Sequence, residues 1–513
     1  MKPLVVQMNP RPCALAAAIA SFVLGWTYAS GETFVAPAEM RRIGTIDERF
    51  QSFNVEMVEV TGGRFWKPYS AGDGLAMPSK AAQLTLAEKS DLLAKRSPID
   101  LANARLRRFA SALSPTYLRV SGTWANTTFF ADSDHVPPEP PAGYKDVLTR
   151  RQWREVIDFS LTIDAPIVTS FSISPGTRDA RGIWRPEQAR RLVQATRAAG
   201  GSMIAAEFMN EPDIASVGGA PAGYDVAAFA RDFRRFRAFM RLVAPEVMIL
   251  GPATTGRSPL ASRLFLASAH GIDAVSYHHY GALSERCAGG HGAEAALSEE
   301  WLARTDRTLA FYRELRDRGS PGKPIWLTET AESACGGNRW SSTFLDTFRY
   351  LDQLGRLAKA GVQVVMHNTL AASDYGLLDE ATHMPRPNYW AALLWRQLMG
   401  TVVLDSGVPI RPGLHVYAHC QRGKRGAVVL LVINNDRDTS HDLVLPNAAE
   451  RYTLDAAKLQ DVAVRLNGTP LAVDAADQLP NLAGMPASPG AVIFAPTTIT
   501  FLTISDAGNR NCH

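Results

Sequence analysis

Two glutamates stand out by type, spacing and company. Glu211 lies in Ala206-Glu207-Phe208-Met209-Asn210-Glu211-Pro212, where polar residues cap an apolar run and a proline stops its continuation. Glu329 lies in Ile325-Trp326-Leu327-Thr328-Glu329-Thr330, again at the end of an apolar run. Two carboxyl groups on opposed walls of one cavity are what glycosidic cleavage needs. One protonates the leaving oxygen, and the other attacks the anomeric carbon or activates a water. A separation of roughly 5–5.5 Å gives retention of configuration, and about 6.5–9.5 Å leaves space for a water and gives inversion. The acids must differ in protonation. Glu329 is expected to stay ionised, with Arg119 or Tyr280 as nearby donors, while Glu211 holds its proton until it donates, which requires a raised pKa. Glu207 shares a face with Glu211 only if the strand stays regular, so Glu211, at the rim beside Asn210, is the preferred acid.

The elements that must position this pair are legible as an alternation. Short apolar runs at 53–60, 117–120, 167–171, 203–208, 247–251, 274–277, 325–328 and 362–366 read as strands. Amphipathic stretches at 101–113, 151–161, 186–199, 225–243, 300–318 and 342–360 read as helices between them. Strands that are apolar throughout are buried on both faces. Eight strand–helix alternations therefore predict a (β/α)8 barrel, with a doubly wound open sheet as the alternative. The pair then falls at the C-terminal ends of the fourth and seventh strands, the rim that carries catalysis in such barrels. After about residue 400 the pattern changes. Short runs at 428–433, 442–445, 451–454, 462–466 and 497–503, punctuated by Gly, Pro, Asn and Asp, predict a C-terminal antiparallel β-sandwich.

The expected organisation is an export signal at 1–29, a segment at 30–48 that adds a strand to the sandwich, a barrel at 49–398 and the sandwich at 399–513. Residues 13–26 (CALAAAIASFVLGW) form an apolar run after Lys2 and Arg11, with Thr27-Tyr28-Ala29 before a cut at Ser30. The run is short for a bilayer span. An uncleaved anchor is the alternative. Cleavage removes two bases and no acids, so the formal charge of +4 falls by two. That modest balance calls for no nucleic-acid partner. Cleavage also leaves four cysteines, an even number that favours disulfides in an exported chain. No Cys/His cluster has metal-ligand spacing, and no cofactor or metal is expected. His278 and His279, read as following the sixth strand, are expected to be hydrogen-bonded rim residues. Trp124, Phe129, Trp184 and Trp340 fall in rim loops, where they stack on sugars or pack in the core. The proline-rich loop at 135–143 either walls off the cleft or lies aside and lets a chain thread through.

From about Ser52 to Cys512 the chain resembles glycoside hydrolase family 79, the heparanase and β-glucuronidase family. The resemblance rests on LSPTYLRVSGT at 113–123, EFMNEP at 207–212, YHHY at 277–280, WLTET at 326–330, ACGG at 334–337 and YGLLD at 375–379. It implies a retaining mechanism with Glu211 as acid/base and Glu329 as nucleophile, Asn210 on the sugar 2-hydroxyl, and Tyr280 beside the nucleophile. It also implies that backbone amides of Gly336 and Gly337 and the hydroxyl of Tyr375 hold the uronate carboxylate, and that Thr123 and Glu56 reach the sugar hydroxyls. Glycine amides suit an anion that must approach closely. The chain departs from the family pattern in three ways. It has Glu56 where heparanases have aspartate, Cys335 where they have an aromatic residue, and a loop after Glu329 one residue longer. The resemblance further implies a disulfide between Cys420 and Cys512, which leaves Cys287 and Cys335 as the second expected pair, across the rim.

The sequence thus predicts a secreted or periplasmic, monomeric retaining β-glucuronidase acting on a glucuronide-containing polysaccharide or oligosaccharide such as heparan sulfate, with no stable membrane association after signal cleavage. Alternatives are an exo-enzyme on small or plant glucuronides, a non-catalytic glycosaminoglycan-binding protein, and a cellulase-like or mannanase-like barrel enzyme, which needs no carboxylate-binding glycines.

Overall fold

A computed structural model describes residues 33–69, 90–135, 137–287, 289 and 292–513. The expected export signal at 1–29 lies outside the described residues. Eight parallel strands close into a barrel: β1 (Gln51–Glu56), β2 (Leu118–Ser121), β3 (Ile167–Ser170), β4 (Met203–Glu207), β5 (Met248–Thr255), β6 (Ala274–Leu283), β7 (Ile325–Ala334) and β8 (Val364–His367). β8 returns to β1 through pairs such as Val365↔Gln51.

Period-two alternation explains why these strands are apolar throughout. Ala205, Leu250 and Val364 point into the barrel, where they pack with Tyr117, Trp326 and Met366. Their neighbours Ala206, Ile249 and Val365 face the surrounding helices. The same alternation runs polar side chains inward towards the C-terminal rim. Phe53, Val55, Leu118 and Val120 face outward, so Asn54, Glu56 and Arg119 face inward, all buried.

Several expected boundaries are corrected. The strand expected at 53–60 stops at Glu56, and Met57–Thr61 forms a short helix. A capping box prevails over the strand preference of Val58 and Val60: the Glu59 carboxylate accepts from the Glu56 amide at 2.8 Å, and Glu56 caps the Glu59 amide in return. His278 and His279 lie inside β6 rather than after it. The helix expected at 300–318 divides into Glu299–Leu302 and Arg304–Gly319. Of the strand expected at 462–466, only Arg465–Leu466 forms.

The main strands after the barrel are β9 (Met399–Leu404), β10 (His415–Gln421), β11 (Val428–Asn434), β12 (His441–Leu445), β13 (Ala449–Asp455), β14 (Gly490–Phe494) and β15 (Thr498–Ile504). They build an antiparallel sheet in the order β9-β10-β11-β15-β13, faced by the pair β12–β14. The strand Arg42–Thr45 adds to the β9 edge. Val428, Leu430 and Val432 face β12 and β14 across a core with Leu443 and Phe494. Val429, Leu431 and Ile433 instead join the cluster that holds the barrel helices Phe344–Lys359 and Pro387–Leu398. Cys420 and Cys512 form a disulfide that ties β10 to the last residues, and Cys287 and Cys335 form a second that joins the segments after β6 and β7. No helix among the described residues is long and apolar enough to cross a membrane.

Candidate active site

The barrel's C-terminal rim opens on a cavity of about 350 Å³, lined by Glu56, Thr123, Glu211, Tyr280, Glu329 and Tyr375 among others. Two local devices aim the paired glutamates into it. β4 ends at Glu207, and the chain bends before Glu211, which takes a left-handed conformation (φ 47°) ahead of Pro212. In β7, Tyr277 pairs with Leu327 but His278 pairs with Glu329, so Thr328 is an extra residue, a bulge that resets the alternation. Thr328 donates inward to Glu207 at 2.7 Å, and Glu329 is still turned to the cavity. One carboxylate oxygen of Glu211, one of Glu329 and a ring nitrogen of His278 lie within 4.8 Å of one another.

Arg119 organises the floor. Its guanidinium donates to Glu329 Oε2 at 2.8 Å, to Glu207 Oε2 at 2.9 and 3.1 Å and to Asn210 Oδ1 at 2.9 Å. The Tyr280 hydroxyl donates to Glu329 Oε1 at 2.6 Å. Burial alone raises the Glu329 pKa; the cations at His278 and Arg119 and the Tyr280 hydroxyl overturn that and hold it below the ordinary carboxylate value. Glu211 faces different surroundings. Burial, aided by the charge of Glu329, pushes its pKa to about 7 against the hydrogen bond from His278 Nδ1 at 3.0 Å. The two carboxyls therefore sit in opposite protonation states at mildly acidic pH. Three metal-ligand side chains do converge here, but Arg119, its guanidinium 3.2 Å from His278 Nε2, already places a fixed cation against the same carboxylate.

Glu56 is the third carboxyl that lines the cavity, and it too is buried. Burial, then the charge of Glu329, raises its pKa well above the ordinary value, so it can donate as well as accept. Its room depends on Gly122, where an added Cβ would lie 1.5 Å from Glu56 Oε2. Asn210 does not line the cavity; its peptide is pinned at both ends by Asn126, with N–H···Oδ1 and Nδ2–H···O bonds of 2.9 Å. Nor do Gly336 and Gly337, whereas Ala334 and Cys335 just before them do. Gly336 has φ +81°, and a Cβ there would meet Trp66 at 2.6 Å. His279 is buried and does not reach the cavity. Trp124 lines the cavity, Trp184 and Trp340 are core, and Phe129 packs on Tyr144. No described residue of the 135–143 loop lines the cavity.

Sequence reasoning missed Asn126 and Asn368. Asn368, next after β8, donates to the hydroxyls of Tyr280 at 3.1 Å and Tyr375 at 3.4 Å. Its place at the strand's C-terminal end was a usable signal. Asn126 lies in the short turn Thr123–Thr127, and nothing in the sequence marks its bond to a residue 84 positions away.

This arrangement predicts a bell-shaped pH dependence of kcat/KM. Activity should fall as pH rises through about 7 and Glu211 loses its proton. It should fall again below the usual carboxylate range, as Glu329 gains one. A profile on an aryl glycoside over pH 3–9 checks this, and activity undiminished at pH 9 would refute it.

No family model matches the chain. Heparanase of Mus musculus is 26% identical over 483 residues, covering 80% of this chain and 88% of that protein. Heparanase-like protein 1 of Arabidopsis thaliana is 25% identical over 367 residues, 66% of each chain, just under two thirds of that protein's length. Among solved structures, a 4-O-alpha-L-rhamnosyl-beta-D-glucuronidase from Fusarium oxysporum superposes with a TM-score of 0.63 at 13% identity, covering 92% of this chain and 99% of that one. At that identity the match shows a shared fold.

Proposed function

Because the chain belongs to the heparanase and β-glucuronidase family of glycoside hydrolases, family 79, we propose that it is a retaining β-glucuronidase with Glu211 as acid/base and Glu329 as nucleophile. The observation that carries this reading is the approach of the two carboxylates to within 4.8 Å at their near oxygens, facing one cavity. That gap leaves no room for a water between Glu329 and the sugar, the water that the general base of an inverting enzyme must activate. In the first step Glu329 attacks the anomeric carbon while Glu211 gives its proton to the departing oxygen. In the second, water enters, Glu211 takes its proton, and the glycosyl–Glu329 bond breaks. Bonding of Glu329 to the sugar removes its negative charge, one of the causes holding Glu211 high, and so readies Glu211 to act as base.

In this reading the glycone lies between Glu329 and the wall formed by Glu56, Thr123 and Tyr375. Of the three groups that the family resemblance assigns to the uronate carboxylate, Gly336, Gly337 and Tyr375, only Tyr375 lines the cavity. Glucuronic acid is the glycone whether the substrate is a glycosaminoglycan such as heparan sulfate or a small glucuronide. Export to an oxidising compartment belongs to the same reading and is supported by the two disulfides; action there as a monomer is part of the proposal.

The test is hydrolysis of 4-nitrophenyl β-glucuronide beside the matching β-glucoside, with the first-formed sugar followed by NMR. β-Glucuronic acid should appear first, with glucoside turnover at least about a hundredfold slower, the discrimination expected of a site that hydrogen-bonds the missing group. An α-anomer first, or equal rates on the two substrates, would sink the proposal. No turnover at all would favour the non-catalytic alternative.

A further inference from the structure

The cavity has two unlike halves. In the barrel, the loops after β8, β1 and β2 face those after β4, β5 and β6. The first group contributes the hydrogen-bonding side chains of Glu56, Thr123, Asn368 and Tyr375 beside the aromatic rings of Phe65, Trp66 and Trp124, but no aliphatic side chain. The second contributes Ile214, Val217, Ala282 and Leu283, with Thr255 and Gly256 between them. No lysine or arginine among the described residues lines the cavity. Glu211, immediately before the Pro212–Ile214 turn, stands on the apolar side. The proton donor to the glycosidic oxygen must lie beside the group that departs with that oxygen. The apolar wall is thus the leaving-group wall.

We propose that this wall selects an uncharged, apolar aglycone, with Val217 and Leu283 as specificity-determining residues. The proposal rests on the glucuronidase reading and deepens it. A sulfated sugar in the first leaving-group position needs cationic or strong hydrogen-bonding partners, because a charge buried against leucine, isoleucine and valine is left unpaired. An alkyl or aryl group needs none and gains by leaving water. Leu283, 38% exposed, is an exposed large apolar residue of the kind a bound apolar aglycone would cover.

The test is a series of n-alkyl β-glucuronides from methyl to hexyl, which keep the chemistry of the departing alcohol nearly constant while adding apolar area. The expected result is a rise in kcat/KM of about two- to fourfold per methylene over the first few carbons. Leu283→Ser and Val217→Ser should each flatten that slope, so the hexyl-to-methyl ratio falls several-fold. A flat series in the unmodified protein would overturn the proposal, as would faster cleavage of the β-glucuronide of 6-O-sulfated glucosamine than of the hexyl glucuronide. If no glucuronide in the series is cleaved, it is the underlying glucuronidase reading that fails.

Discussion

Replacing Glu329 with glutamine is expected to lower kcat/KM on an aryl β-glucuronide by about 10⁴-fold or more, roughly 5.5 kcal/mol of barrier at 1.36 kcal/mol per tenfold. The amide keeps the shape of the side chain but not the nucleophile. Good leaving-group chemistry does not rescue it, since no covalent intermediate can form whatever departs. Glu211→Gln behaves differently. Its proton is needed most when the leaving alcohol is poor, so the loss should be large on an alkyl glucuronide and small in the first step on 4-nitrophenyl glucuronide. The contrast between the two variants assigns the roles. Equal losses on both substrates for Glu211→Gln would break the assignment. The first variant makes a second, independent point. The charge of Glu329 helps hold Glu211 high, so in Glu329→Gln the Glu211 carboxyl should titrate below about 7. Infrared or NMR titration reads this directly in a protein that turns over too slowly to interfere.

The parts of this site that were legible in the sequence share one physical cause. Glu211 and Glu329 could be placed because each closes an apolar run of a strand buried on both faces, which points to the rim, although Glu211 falls beyond β4, which ends at Glu207, and Glu329 falls inside β7, which runs on to Ala334. The barrel was legible for the same reason: its strands are apolar throughout, unlike the half-solvated strands of an open antiparallel sheet. What escaped was whatever depends on a partner far along the chain. Thr328 reads as an ordinary strand residue, and only the mismatch with β6 makes it a bulge. β9 follows the helix Pro387–Leu398 directly, with Met399 as the cap, so no turn residue announces the change. β10 was hidden by His415 and His419, which look like surface residues. Both are fully buried, His415 hydrogen-bonded to Asp352 at 2.6 Å and His419 to the Gly400 carbonyl at 2.7 Å. The glycine pair shows the same limit from the other side. Its motif is plain in the sequence, yet the cavity wall here is made by Ala334 and by Cys335, which the Cys287 disulfide holds in place.

Arg119→Met should damage stability and activity together, through different carboxylates. Arg119 and Glu207 are both buried, and Glu207 keeps only the Thr328 hydroxyl at 2.7 Å once the guanidinium is gone. Stranding a buried charge in this way costs about 3–5 kcal/mol. Chemical denaturation of the variant beside the unmodified protein at pH 7 should read that loss. Activity should fall with it, because Glu329 has lost the donor at 2.8 Å that helps keep it ionised. Adding Glu207→Gln to Arg119→Met separates the two effects. The double variant removes the stranded charge and should regain most of the stability while kcat stays low. If the double variant regained turnover along with stability, Arg119 would be serving only Glu207, and its role in holding the nucleophile charged would have to be abandoned.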